Sequence, residues 1–179
     1  MPHSIEILVS LARLFEYPGQ DYPDRVERCA AGVASGHVEG AALLRQFLWE
    51  VSGRSVSELE ELYIQTFDLN PDGCLDIGWH LFGEDYARGE FLVKMNQEIR
   101  RYGLGESHEL PDHITRVLPV LARMEESEAA RFQENFLAPA LLKLSGAVGA
   151  DNAYRKLLSA LACVVGIPLE DACQKEEQA

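Results

Sequence analysis

The apolar residues of this chain recur at spacings of three and four, and turns rich in proline and glycine interrupt them at short intervals. That spacing is the period of a helix with one buried face. Ile7, Leu8, Leu11, Leu14 and Phe15 form the first set, with Ser4 as a cap before it and Pro18-Gly19 as a stop after it. Tyr22-Pro23-Asp24 opens a second set of Val26, Cys29, Ala30 and Val33, which Gly36 ends. A third helix is expected from Val38 to Val51, burying Leu43, Leu44, Phe47 and Leu48, with Gly53 at its C-terminal cap. No run alternates with period two for long enough to make a strand, and no repeat is present. Helices of about 10–18 residues joined by short loops predict an all-α fold with antiparallel neighbours. The expectation is one compact multi-helix domain over residues 1–170, followed by a charged, disordered tail at 171–179.

The stretch from Leu59 to Gly83, LEELYIQTFDLNPDGCLDIGWHLFG, concentrates aromatic and polar residues as no other part does. Ser57 with Glu60 reads as a capping box for a fourth helix, whose stripe is Leu59, Leu62, Tyr63, Thr66 and Phe67. Asn70-Pro71-Asp72-Gly73 is turn chemistry, and the Cys74–Phe82 piece after it is short and weakened by Gly78. Asp85 caps the next helix, expected to run to Tyr102 with Gly103 as its stop. The polar loop 104–109 reads as mobile. Asp112 is placed as the N-cap of a helix burying Ile114, Val117, Leu118, Leu121 and Met124, with a kink or break at Pro119. Ser127 is expected to cap a further helix that Pro139 bends, and a last helix spans about Asp151 to Val165.

The balance of charge is acidic: 29 Asp and Glu against 16 Lys and Arg, a net charge of -13. Such a surface repels nucleic acid and anionic membranes and favours a basic partner. The four cysteines show neither a CxxC pair nor zinc spacing, which fits a reducing compartment. With no basic leader and no apolar run long enough to span a bilayer, a cytoplasmic location is expected. The five histidines form no HExxH pair, and no phosphate-binding glycine loop or nucleophile elbow occurs. No metal, cofactor or catalytic residue is therefore assigned. Cys74, His80 and Asp112 make the alternative, a small helical enzyme, although nothing local fixes a base beside the thiol. A permanent structural subunit of a redox complex is the other alternative.

The strings YIQTFDLNP, WHLFGEDYARGEFL and ELPDH, in that order, resemble the NarJ-type chaperones of nitrate reductase assembly. These sit within the wider TorD/DmsD-like family of redox-enzyme maturation proteins. The close match covers Leu59 to His113, with ELPDH at 109–113 and HLFGED at 80–85 as its sharpest parts. The resemblance implies an all-helical chaperone, not an enzyme. Its partner would be the molybdenum-containing catalytic subunit of a respiratory oxidoreductase, a nitrate reductase or another type II molybdoenzyme. The chaperone would bind that subunit's N-terminal segment, hold it for molybdopterin insertion and delay export or docking. It would act as a monomer or weak homodimer. Carried over by position, Tyr63, Phe67, Trp79, His80, Phe82, Glu109, Pro111, Asp112 and His113 are the expected peptide-binding residues. Acidic rims at Glu58–Glu61, Glu84–Asp85 and Glu106–Asp112 would draw basic client residues.

Overall fold

The computed structural model describes residues 5–169, so Ser4 and the 171–179 tail lie outside it. In order, the helices are α1 (Ile5–Ala12), α2 (Tyr22–Val33), α3 (Val38–Ser52), α4 (Val56–Tyr63) and α5 (Ile77–Phe82). They continue with α6 (Tyr86–Arg101), α7 (Ile114–Leu121), α8 (Glu126–Phe132), α9 (Ala138–Ala147) and α10 (Tyr154–Val165). Among the described residues no sheet forms; a single antiparallel bridge joins Asp76 to His113. The all-α reading holds.

Helix α3 packs against both α2 and α10, α7 lies on α1, and α5 lies on α9. The spacing read from the sequence is what they bury: Leu8, Leu11, Leu14, Phe15, Val26, Leu44, Phe47, Leu157, Leu158 and Leu161 are all fully enclosed. Each such side chain contributes about 1.5–3 kcal/mol when removed from water. Tyr22 joins them because its hydroxyl donates to the Leu14 carbonyl at 2.6 Å, which satisfies the polar end inside an apolar core.

The capping box lies two residues earlier than expected. Ser55, not Ser57, caps α4: its backbone N–H donates to Glu58 Oε2 at 2.7 Å, and Glu58 N–H donates back to Ser55 Oγ at 3.3 Å. The run Ser-Val-Ser-Glu-Leu-Glu contains the capping pattern in two registers. The earlier one brings an extra half turn into the helix. α4 then continues as a π turn over Ile64–Asp68, closed by Leu69 N–H donating to the Ile64 carbonyl at 2.8 Å. Gly73 ends the connection where only glycine fits, since a Cβ there would lie 2.2 Å from the Thr66 carbonyl oxygen.

Two other caps and one helix start are corrected. α7 is capped by His113, not Asp112. α8 starts at Glu126 without a side-chain cap, and Ser127 is inside it, so the acidic residues Glu126 and Glu128 serve the helix N-terminus electrostatically. α10 begins at Tyr154, after a turn in which Asn152 Oδ1 accepts from Tyr154 N–H at 2.9 Å. Pro119 does not break α7, which runs through it to Leu121. Pro139 falls in the first turn of α9, directly after a second π turn at Gln133–Leu137. Proline has no N–H to give the carbonyl four residues back, and the wider turn absorbs that loss. Asp85 caps α6 as expected, accepting from Ala87 N–H at 2.8 Å.

Candidate functional site

The nine residues named from the sequence fall into three neighbourhoods. The first is an acidic and aromatic face. Tyr63 and Phe67 are only 7% and 3% exposed, so they belong mainly to the core. Their rings pack edge-on with centroids 5.1 Å apart, and Phe67 sits 4.7 Å from the Tyr154 ring. Tyr63 donates its hydroxyl to the Phe15 carbonyl at 3.0 Å. Above this ring lies Tyr17, half exposed, its own ring 5.4 Å away in an edge contact. The π turn rotates Asp68 out to solvent next to the buried Phe67. Tyr17 and Asp68 were not named from the sequence; Asp68 stood in the DLNP string, but only the wider turn aims it outward.

Carboxylates converge on this face from separate segments. Burial raises the Asp68 carboxyl above its ordinary value, the Glu109 charge raises it further, and His113 opposes both. Burial raises the Tyr63 hydroxyl, reinforced by Asp68 and Glu109 among others. His113 is buried as the α7 cap, with Nδ1 2.7 Å from Thr115 Oγ1 and accepting from Thr115 N–H at 3.4 Å. Its Nε2 faces Glu109 Oε2 at 3.8 Å. Burial pushes the His113 ring below its ordinary value, and Glu109 pulls it back. The exposed side chains Leu69 and Leu110 flank Asp68 and Glu109 in sequence, so the face mixes apolar and acidic groups.

The second neighbourhood is a polar seam. Arg88 donates from Nη2 to Asp76 Oδ2 at 3.1 Å and from Nε to Asp112 Oδ2 at 3.2 Å. Its guanidinium stands 5.6 Å from the Trp79 ring centre, in cation–π range. Asp112 is fully buried, which is why it does not cap the helix: Arg88, from another element, has claimed it. Burial and the Asp76 charge push the Asp112 carboxyl up, and Arg88 opposes them. The backbone reinforces the seam, with Ile77 N–H donating to the Asp112 carbonyl and Ile114 N–H to the Leu75 carbonyl, each at 2.9 Å. Gly78 is required here, because a Cβ would lie 2.5 Å from Asp112 Oδ2. Pro111 and Glu109 border a cavity of about 420 Å³ under the 104–109 loop, and Arg116 pins that loop by donating to the Gly105 carbonyl at 2.6 Å.

The third neighbourhood holds His80, Trp79 and Phe82. His80 is buried and donates from Nε2 to the Cys74 carbonyl at 2.7 Å, with Cys74 Sγ 3.9 Å away. Burial lowers the His80 ring and raises the Cys74 thiol, the opposite of an activated thiolate–imidazolium pair. Asp112 pairs with Arg88 instead, so it does not complete a triad with the Cys74–His80 contact. Half-buried Phe82 packs 5.6 Å from Phe91. Among the described residues no three His, Cys, Asp or Glu side chains gather as a metal site, and no helix is long and apolar enough to cross a membrane.

No protein-family model matches the chain. It is 32% identical over 142 residues to the nitrate reductase molybdenum cofactor assembly chaperone NarJ of Escherichia coli K12, covering 77% of this chain and 60% of that protein. The same figures hold for NarJ of Escherichia coli O157:H7. The chain thus spans about three fifths of the length of the curated relatives it matches. In fold it is similar to a crystal structure of a proposed redox enzyme maturation protein from Archaeoglobus fulgidus. The TM-score is 0.61 at 21% identity, over 89% of this chain and 92% of that one. The resemblance carried by the DLNP, HLFGED and ELPDH strings is thereby borne out: the chain is a relative of the NarJ-type assembly chaperones and has the fold of a redox enzyme maturation protein.

Proposed function

We propose that this protein is an assembly chaperone for the molybdenum-containing catalytic subunit of a respiratory oxidoreductase. It binds a basic N-terminal segment of that subunit in the cytoplasm, before cofactor insertion and docking. One observation carries the reading in a relative of NarJ: Glu109 stands 3.8 Å from His113, and with Asp68 it acts electrostatically on Tyr63, against which the exposed Tyr17 ring packs. Carboxylates beside one exposed aromatic ring, Tyr17, are suited to a guanidinium or ammonium, through ion pairing and cation–π contact together. Leu69 and Leu110 supply apolar contact for the rest of an amphipathic helix. Chemistry on the client is not part of the reading, because the Cys74 thiol and His80 ring are both held in their neutral forms.

The test is titration calorimetry with a synthetic peptide of the client's N-terminal segment at low and high salt. Binding is expected, weakening as salt screens the carboxylates. Replacing Asp68 and Glu109 together with Ala is expected to lower affinity by about tenfold or more, about 1.4 kcal/mol per decade. Undiminished binding by the double variant would overturn the assignment of the site. Failure of any molybdoenzyme N-terminus to bind would overturn the function.

A further inference from the structure

A second apolar site lies away from the acidic face, between α6 and the rod formed by α8, the second π turn and α9. Phe91, Met95, Met124, Phe132 and Phe136 line a cavity of about 230 Å³ there. The three phenylalanines form a closed triangle, with centroids 5.2 Å apart for Phe91 and Phe136, 5.3 Å for Phe132 and Phe136, and 6.4 Å for Phe91 and Phe132. They pack against one another and leave the space above them unfilled. Well-packed interiors do not normally leave apolar space of that size open to the surface. The π turn at Gln133–Leu137 supplies Phe136 and Asn135 to this cavity, and π turns inside helices are frequent at functional sites. Methionine pairs are the side chains best able to refit around variable guests.

The mouth carries two acidic and two basic side chains, and a third cation, Arg101, is shared between the acids. Glu98 and Glu128 are both engaged by Arg101 Nη1, at 3.1 and 3.3 Å. The exposed Lys94 and Arg131 on opposite sides of the mouth form no ion pair with another described residue. A protein of net charge -13 therefore presents cationic groups over an apolar hole. The acidic face asks for a basic partner; this cavity asks for the reverse.

We infer that the α6–α8 cavity is a second docking site, which takes one bulky apolar side chain from a peptide helix bearing an acidic residue next to it. The inference rests on the reading of the protein as a peptide-binding chaperone, but on none of the residues of the acidic face. It gives the chaperone two points of purchase of opposite charge preference. A client segment with a basic end and an acidic amphipathic part would be held in one orientation.

The experiment uses the full chain and two kinds of probe. The first is 1-anilinonaphthalene-8-sulfonate, a flat apolar anion whose fluorescence reports uptake. The second is a pair of synthetic amphipathic helices, identical except that Glu or Lys flanks a central Leu. The Glu peptide is expected to displace the dye and the Lys peptide to fail. Met124→Trp, which fills the cavity, and the double reversal Lys94→Glu with Arg131→Glu should each weaken dye and Glu peptide at least tenfold. Asp68→Ala with Glu109→Ala should leave both unchanged, which separates this inference from the assignment of the acidic face. Circular dichroism checks that each variant folds, and the charge reversal stands in if the tryptophan does not fit. Equal displacement by both peptides, or unaltered uptake by the folded variants, overturns the inference. So does sedimentation showing that a second copy of the chain fills the cavity.

Discussion

The π turn after α4 and the π turn between α8 and α9 share a backbone form and differ in what lies opposite. At the first, Thr66 Oγ1 donates to the Leu62 carbonyl at 2.6 Å and accepts from Asn152 Nδ2 at 2.7 Å. Phe67 on that turn meets the Tyr154 ring and is closed in. At the second, Gln133 Nε2 donates to the Val165 carbonyl at 3.1 Å, but Phe136 is only partly buried and packs on the Phe91 and Phe132 rings at the edge of an open cavity. The wider turn by itself makes no site. It displaces a side chain by part of a turn, and the facing element decides whether that yields a sealed core with an outward carboxylate or an unfilled hole.

The largest effect should separate the two turns by stability. Phe67→Ala is expected to cost about 4 kcal/mol, read from the urea midpoint at unchanged slope, because its site is sealed and leaves a cavity. Phe136→Ala, beside space already empty, should cost clearly less; equal losses would erase the distinction. The seam between the two regions comes next. Asp112→Ala leaves Arg88 without its buried partner and is expected to cost about 3 kcal/mol. Arg88→Met with Asp112→Leu should recover part of that loss if desolvation is the cause, and no recovery would assign the loss to packing around Gly78. Thr66→Val removes the hydroxyl that receives Asn152 and should cost about 1 kcal/mol, without altering dye uptake at the other turn.

The smallest effect is a pH dependence. Burial holds His113 below its ordinary 6.5, so the fold favours the neutral ring. That advantage is complete above pH 6.5. It is lost as pH falls below that value, because the unfolded chain takes the proton first. Stability should therefore decline as pH falls below 6.5, and His113→Asn, which keeps a capping side chain, should decline less. His80 is depressed in the same direction, so some slope should remain in the variant. An identical slope in variant and parent would remove His113 from the account.

The helical architecture was legible because it depends on local spacing, and the core stripes of α1, α2 and α3 follow it closely, with Ile7, Leu43 and Leu48 only partly buried at their margins. Errors arose wherever a distant group chose between local options. Ser55 and Ser57 offer the same capping pattern, and only the packing of α4 selects one. Asp112 is a good cap by type, but Arg88, 24 residues away, takes it into the seam, and His113 caps instead. Tyr63 and Phe67 were carried over as client-binding positions by the family resemblance, and Tyr154 from the last helix packs against both rings, a contact that no local spacing announces. Both π turns were invisible, since five-residue bonding has no pattern of apolar spacing of its own.

The Asp76–His113 bridge also makes the chain between its two ends a closed excursion: α5, α6 and the 104–109 loop leave and return through one neck. Closure entropy grows only slowly with loop length, so residues added at the far tip would cost little. Their effect on the chain beyond would stop at the neck, where backbone hydrogen bonds and the Arg88 clamp fix Asp112 and Ile114 against Leu75, Asp76 and Ile77. Relatives of different length could therefore vary in this loop while keeping the same placement of the residues that follow it.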